Sequence, residues 1–303
     1  MADVPHGLSG SSVVHVAVDA RDRVGAQRAE RIVVDEFDRL AGEFRRADPA
    51  SLMSRWTRDP SVVTSSEFDE LLAVALRWQE LSNGVFNVST HRLRQVWDHA
   101  ALDGCQPSIG ELHELATDIA RAPYRFDGHR LRQVTPCGGI DLRAIISGFV
   151  LDSAVDAAWR LCDLDALTVW TNHHIRHRGS TQTHVPLERL SARLQGRVGT
   201  LTLTDGAVVV RAGGRSGNLF DPRTAHRVLG TQTVIVVAPS ATTADAVATV
   251  LTILSINEGY EFVEALNAPG SAVGGAANTA MRVGPVRCWW FDESGRDLGN
   301  AGT

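Results

Sequence analysis

Residues 138–152, Gly-Gly-Ile-Asp-Leu-Arg-Ala-Ile-Ile-Ser-Gly-Phe-Val-Leu-Asp, constrain this chain more than any other stretch. A glycine pair after Pro136 opens it, a short apolar run follows, and Ser147-Gly148 leads into residues that recur on a helical period. Val155, Ala158, Trp159 and Cys162 fall three and four apart, which is one face of a helix. The pattern predicts a tight turn feeding a helix N-terminus, with small side chains where another group must approach the backbone closely. Such a terminus carries unpaired N–H groups and the positive end of the helix dipole, so it suits a phosphate or a carboxylate. Most turn-to-helix junctions bind nothing, and the stretch alone assigns no site.

The rest of the chain reads as mixed strands and helices. Val14, Val16 and Val18 alternate with His15, Ala17 and Asp19, as in a half-buried strand. Val33, Phe37, Leu40 and Phe44 share one helix face, and Thr64-Ser65-Ser66-Glu67 has capping-box form ahead of Phe68, Leu71, Leu72, Ala75 and Leu76. Asn83-Gly84 ends that second helix, and residues 85–89 leave it extended. Arg130 to Val134 is expected as a strand, residues 152–165 as a helix and Leu167 to Trp170 as a strand. Residues 198–210 read as a hairpin turning at Asp205-Gly206. Val234 to Val237 reads as a buried strand followed by a helix from near Thr243, and Arg287 to Phe291 as a terminal strand. Strands and helices do not alternate as a doubly wound parallel sheet requires, so one continuous α+β unit over residues 1–303 is expected.

Charge and composition narrow the function classes. A net charge of -5 and a pI near 6.1 argue against a nucleic-acid face, which needs clustered positive charge. All 30 basic residues are arginine, so Schiff-base chemistry on a lysine is excluded. Cys105, Cys137, Cys162 and Cys288 form no C-x-x-C pair and are expected as reduced, mostly buried thiols. The first residues lack a basic and apolar leader, and no apolar run is long enough to span a bilayer. A soluble, cytoplasmic protein is the expectation.

Asp245 and Thr249 lie at i and i+4 on the expected helix after the Val234–Val237 strand, which puts a carboxylate and a hydroxyl on one face. With a nearby carbonyl they could hold Mg²⁺; alternatively Asp245 simply favours the N-terminal end of the helix dipole. His173, His174 and His177 invite a zinc reading, but the segment has neither a carboxylate nor helical periodicity, and a loop of solvated histidines is expected. Ser51, Ser89 and Ser147 stand in no G-x-S-x-G elbow, which argues against a serine hydrolase. Asp221-Pro222-Arg223-Thr224 reads as a turn. Trp56 and Trp97 could stack a planar ligand, with core burial the default for both.

Taken together, these segments resemble the ApbE-like flavin transferases, the FAD:protein FMN transferases, from about Gly10 to Gly295. Gly10-Ser11-Ser12 is similar to the family's N-terminal strand entry, and Ser51 to Arg55 to its serine-rich segment. Gly84 to Ser89 resembles G-x-F-D-x-T, and Asp141 to Asp152 resembles D-L-G-G-I-A-K-G-Y-A-x-D. Asp221 to Thr224 matches D-P-R-T, and Ala238-Pro239-Ser240 with Ala244 to Thr249 looks like A-P-x-A-x-x-A-D-x-x-A-T. The resemblance implies tandem α/β halves enclosing FAD, with Mg²⁺-dependent cleavage of FAD and transfer of FMN to a threonine hydroxyl of an acceptor flavoprotein. It implies Ala144 (through its carbonyl), Asp245 and Thr249 as metal ligands, Asp245 and Asn218 in catalysis, and Ser147, Trp97, Asp221 and Asp152 against the cofactor.

The sequence also departs from the family pattern. Ser147 replaces a long charged residue, and Arg143-Ala144 replaces a glycine pair. Asn218 stands where a histidine precedes D-P-R-T-G, Ala225 replaces its last glycine, and Asn87 and Ser89 replace Asp and Thr. Aligning Ile175-Arg176 on N-x-G-G-D-I-R puts His174 where the aspartate belongs. Lost glycines close space a flavin would need, and a lost histidine removes a candidate acid or base. The alternative expectation is therefore a non-catalytic member that binds flavin, or has lost it.

Overall fold

The computed structural model describes residues 2–5, 13–121, 124–127, 130–133, 139–186, 188, 191, 194, 199–213, 219–269 and 284–302. The first elements are β1 (Ala2–Pro5), β2 (Val13–Ala20), α1 (Arg23–Phe44), α2 (Leu52–Arg58), α3 (Ser66–Leu81), α4 (His91–Leu102) and α5 (Ile109–Ala120). Next come β3 (Tyr124–Asp127), β4 (Arg130–Gln133), α6 (Ile146–Leu161), β5 (Leu164–Trp170), β6 (His174–Gly179), β7 (Thr183–Pro186) and β8 (Thr200–Leu203). The last are β9 (Gly206–Ala212), β10 (Phe220–Asp221), β11 (His226–Arg227), β12 (Thr233–Ala238), α7 (Ala241–Ile253), α8 (Ile256–Asn267), β13 (Arg287–Phe291) and β14 (Asp297–Ala301).

Eight strands form one sheet in the order β1-β2-β5-β6-β9-β12-β13-β14, and every neighbouring pair is antiparallel. The fold is α+β, as the pattern of elements led one to expect. The first four strands in this order precede residue 200 and the last four follow it, meeting where β6 pairs with β9.

The centre of the sheet is covered on both faces, which explains the unbroken apolar run in β12. Val234, Val236 and Ala238 join the main core on the helix side, while Ile235 and Val237 join a second cluster with Val185 and Leu203 on the other side. In α1, Ala29, Val33, Phe37, Leu40, Ala41 and Phe44 are buried, forming the stripe read from the sequence. Each large apolar side chain so buried contributes roughly 1.5–3 kcal/mol. Helix α7 is buried from Ala241 to Thr252, between the sheet and α6, and its alanines and threonines keep it thin enough to fit there.

Several expectations are corrected. Strands β8 and β9 are not a hairpin: β8 pairs with β7, and β9 pairs with β6 and β12. The apolar Val208 and Val210 fill the second cluster, so central-sheet burial overrides the local turn signal at Asp205-Gly206. The N-cap of α3 is Ser65, one residue after the expected Thr64, with its Oγ accepting from Phe68 N at 3.1 Å. Helix α6 begins at Ile146 rather than 152, because its first turn is buried between α1 and α7 and so carries no amphipathic signal. His174 and His177 lie on a strand rather than in a solvated loop, while His173 is exposed in the bend before it; His177 is buried, with ring nitrogens 2.8 Å from Thr168 Oγ1 and 2.8 Å from Thr181 O.

Candidate active site

The turn at residues 139–145 needs its glycine. Gly139 has φ +102°, and a Cβ there would lie 2.7 Å from Thr57 Cγ2. Asp141 follows, almost wholly buried, gripped by Arg143 at 2.9 and 2.5 Å and with Arg94 Nε at 3.5 Å. Burial raises its carboxyl pKa, opposed by Arg94, Arg46 and His91.

Helix α6 then starts without a side-chain cap of its own, its N-cap being Ile145. The missing anion comes from α7. Gly148 N donates to Asp245 Oδ2 at 3.2 Å, so a carboxylate from mid-helix serves the uncapped end of another helix. Close approach permits this, because a Cβ on Gly148 would come within 2.6 Å of the Ala241 carbonyl carbon and 2.7 Å of Thr242 N. One turn further along α7, Thr249 Oγ1 lies 3.0 Å from Asp245 O and 3.3 Å from Ala144 O. Ala144, Asp245 and Thr249 thus converge, with Ser147 half-buried in the same first turn of α6.

Two residues that sequence reasoning did not bring to this point complete it. His174 on β6 pairs with Val209 on β9, and Arg211 lies two residues along β9, so both share the helix-facing side. Arg211 Nη2 donates to Asp245 Oδ1 at 2.6 Å. His174 Nε2 stands 3.2 Å from the same oxygen, close enough to attract it but not aligned as a hydrogen bond. Burial alone would raise the Asp245 carboxyl; His174 and Arg211 outweigh it and hold the group below the ordinary carboxylate value. The only sequence trace of this arrangement was His174 at an aspartate position and a basic residue ending the apolar run of β9.

The Mg²⁺ that the resemblance implies does not fit these residues as they stand. Magnesium needs near-octahedral oxygen ligands and room for several waters. Oδ1 of Asp245 already faces a guanidinium and an imidazole, Oδ2 takes an N–H, and the side chain is 1% exposed. Two unit positive charges about 4 Å apart at an effective dielectric near 20 repel by about 4 kcal/mol, and a divalent ion doubles that. Among the described residues no group of three or more His, Cys, Asp or Glu could hold a metal.

The other candidates lie apart from this point. Asp152 sits at the N-terminus of α7, accepting from Ala241 N at 2.9 Å, Thr242 N at 2.8 Å and Thr242 Oγ1 at 2.6 Å, with Arg176 Nε at 3.3 Å. Burial raises its pKa against the pull of Arg176. Trp97 is buried, as the default reading held: its Nε1 donates to Ala225 O at 2.9 Å, Phe220 stacks at 6.2 Å and Arg227 lies 4.7 Å over the ring. Asp221 holds the following turn through Arg223, at 2.9 Å to its N and 2.8 Å to its Nη2. Ala225 closes that turn at φ +60°, in the left-handed region that favours glycine, at a strain of roughly 1 kcal/mol. Arg94 links the two regions, 5.2 Å over Phe220 and 3.5 Å from Asp141. Asn218 lies outside the described residues, as do Cys137 and residues 10–12.

The model of the ApbE family matches residues 11–272. Among curated proteins, none matches this chain. Among solved structures, the ApbE protein of Thermotoga maritima is 20% identical with a TM-score of 0.74, covering 98% of this chain and 96% of its own. The flavin transferase ApbE of Vibrio cholerae is 16% identical with a TM-score of 0.70, covering 99% and 96%. The flavinyl transferase ApbE of Pseudomonas stutzeri, in its apo form, is 14% identical with a TM-score of 0.68, covering 99% and 94%. At these identities the likeness is one of fold, while the family model spans most of the sequence. The chain belongs to the ApbE family.

Proposed function

We propose that the protein is an FAD:protein FMN transferase-like enzyme, taking FAD as substrate and a flavoprotein threonine as acceptor. The observation that carries this reading is the convergence of Ala144, Asp245 and Thr249 at the start of α6, in a chain that belongs to the ApbE family. The acceptor oxygen forms a bond to the FMN phosphorus, and the bond from that phosphorus to the bridging oxygen breaks. AMP leaves with that oxygen, and the hydroxyl proton passes to water. Asn218 can hold an acceptor by donating and accepting hydrogen bonds, but its amide takes no proton. Ser147 offers a hydroxyl to a phosphate oxygen at the start of α6, where the Ile146 and Gly148 amides already donate to Leu142 O and Asp245 Oδ2.

A second reading, a flavin-binding protein without turnover, is favoured by the pairing of Arg211 with Asp245. Incubation with FAD and a threonine-containing acceptor, with and without Mg²⁺, separates the two. FMN release by chromatography and covalent flavin fluorescence on the acceptor support the transferase. Bound FAD that is never turned over supports the second reading. Absence of FAD binding would sink both.

A further inference from the structure

The carboxylate expected to hold a divalent cation already faces two of the chain's own side-chain nitrogen groups and a backbone N–H. Sheet register produces this. Arg211 follows Val209 by two residues on β9, and Val209 is the partner of His174, so alternation aims both side chains toward α7. Arg211 closes on Oδ1 at 2.6 Å, His174 approaches it at 3.2 Å, and Gly148 N takes Oδ2 at 3.2 Å. Thr249 Oγ1 donates to Ala144 O at 3.3 Å, so these two oxygens are engaged with each other. A guanidinium is charged at every pH at which proteins fold, and its planar set of N–H donors suits phosphate oxygens. The Arg211 side chain keeps 27% of its surface exposed, so it reaches the outside of the site while Asp245 does not.

We infer that Arg211, with His174 beside it, takes the place of a divalent cation on Asp245, so that the site carries built-in positive charge and meets a phosphate-bearing ligand without metal. That the ligand is a flavin nucleotide rests on the proposed function; the loss of the metal site does not.

The test is a titration of the full chain, freed of metal by chelation, with Mn²⁺ followed by electron paramagnetic resonance. Wild type is expected to bind no stoichiometric Mn²⁺. Arg211→Ala is expected to gain one site that disappears again in Arg211→Ala with Asp245→Asn, and Arg211→Gln provides the same comparison if the alanine variant does not fold. Calorimetric titration with FAD is expected to give dissociation constants within about twofold of each other in Mg²⁺ and in chelator. Stoichiometric Mn²⁺ binding by wild type that Asp245→Asn abolishes would overturn the inference, as would FAD binding that requires Mg²⁺. Absence of FAD binding in both conditions counts against the flavin reading, while the Mn²⁺ titration still decides this one.

Discussion

Arg211 Nη2 lies 2.6 Å from Asp245 Oδ1, and this contact joins the middle of the sheet to the most buried helix of the fold. The same carboxylate caps α6 through Gly148, so one side chain ties β9, α6 and α7 together.

Asp245→Ala is expected to destabilise the fold by about 3 kcal/mol, because it leaves a part-buried guanidinium without its counter-charge and an N–H without its acceptor. Asp245→Asn should cost less, since the amide oxygen can still accept. Urea denaturation measures both. A double-mutant cycle of Asp245→Asn with Arg211→Gln should show coupling of about 1 kcal/mol or more. Strict additivity would mean that the contact contributes nothing.

Asp152 gives a second test. It accepts from the first two amides of α7 and from the Thr242 hydroxyl. Asp152→Ala is expected to cost about 3 kcal/mol through unsatisfied buried donors and the loss of a carboxylate from the N-terminal end of α7. FAD affinity should move little. A variant of wild-type stability with weakened FAD binding would instead assign Asp152 to the ligand.

Gly148→Ala forces a methyl group against the backbone at Ala241 and Thr242, where no flexible side chain can give way. The expected cost is about 2 kcal/mol or more, from separating α6 and α7. The Gly148 to Asp245 hydrogen bond should weaken with it, and faster amide exchange of α6 in deuterium labelling would report this.

The thiols give a prediction about pH. Burial pushes the Cys288 thiol up to about 12. A raised thiol pKa means that the folded state favours the protonated form, so this contribution to stability is intact below the ordinary thiol range and is lost as pH rises toward 12. At pH near 8 the folded protein should alkylate at exposed Cys105 and not at Cys288. Site-resolved mass spectrometry after iodoacetamide treatment reads this directly. Labelling of Cys288 at the rate of Cys105 would contradict its burial.

Elements whose signals are local could be read from residue spacing. The inward row of β2, the stripe of α1, the apolar run of β12 and the Asp245–Thr249 face of α7 all follow from spacing within one element, and motif order pointed to the family. What Asp245 touches depends on how distant elements pack. Arg211 and His174 reach it through the register of β6 against β9, and Gly148 reaches it through a helix contact nearly a hundred residues away in sequence, a separation of 97. Side-chain period says which face a residue occupies, but not which residue of another element lies opposite. That is why the Asp245–Thr249 spacing was legible in the sequence and the two side-chain nitrogens that face Asp245 were not.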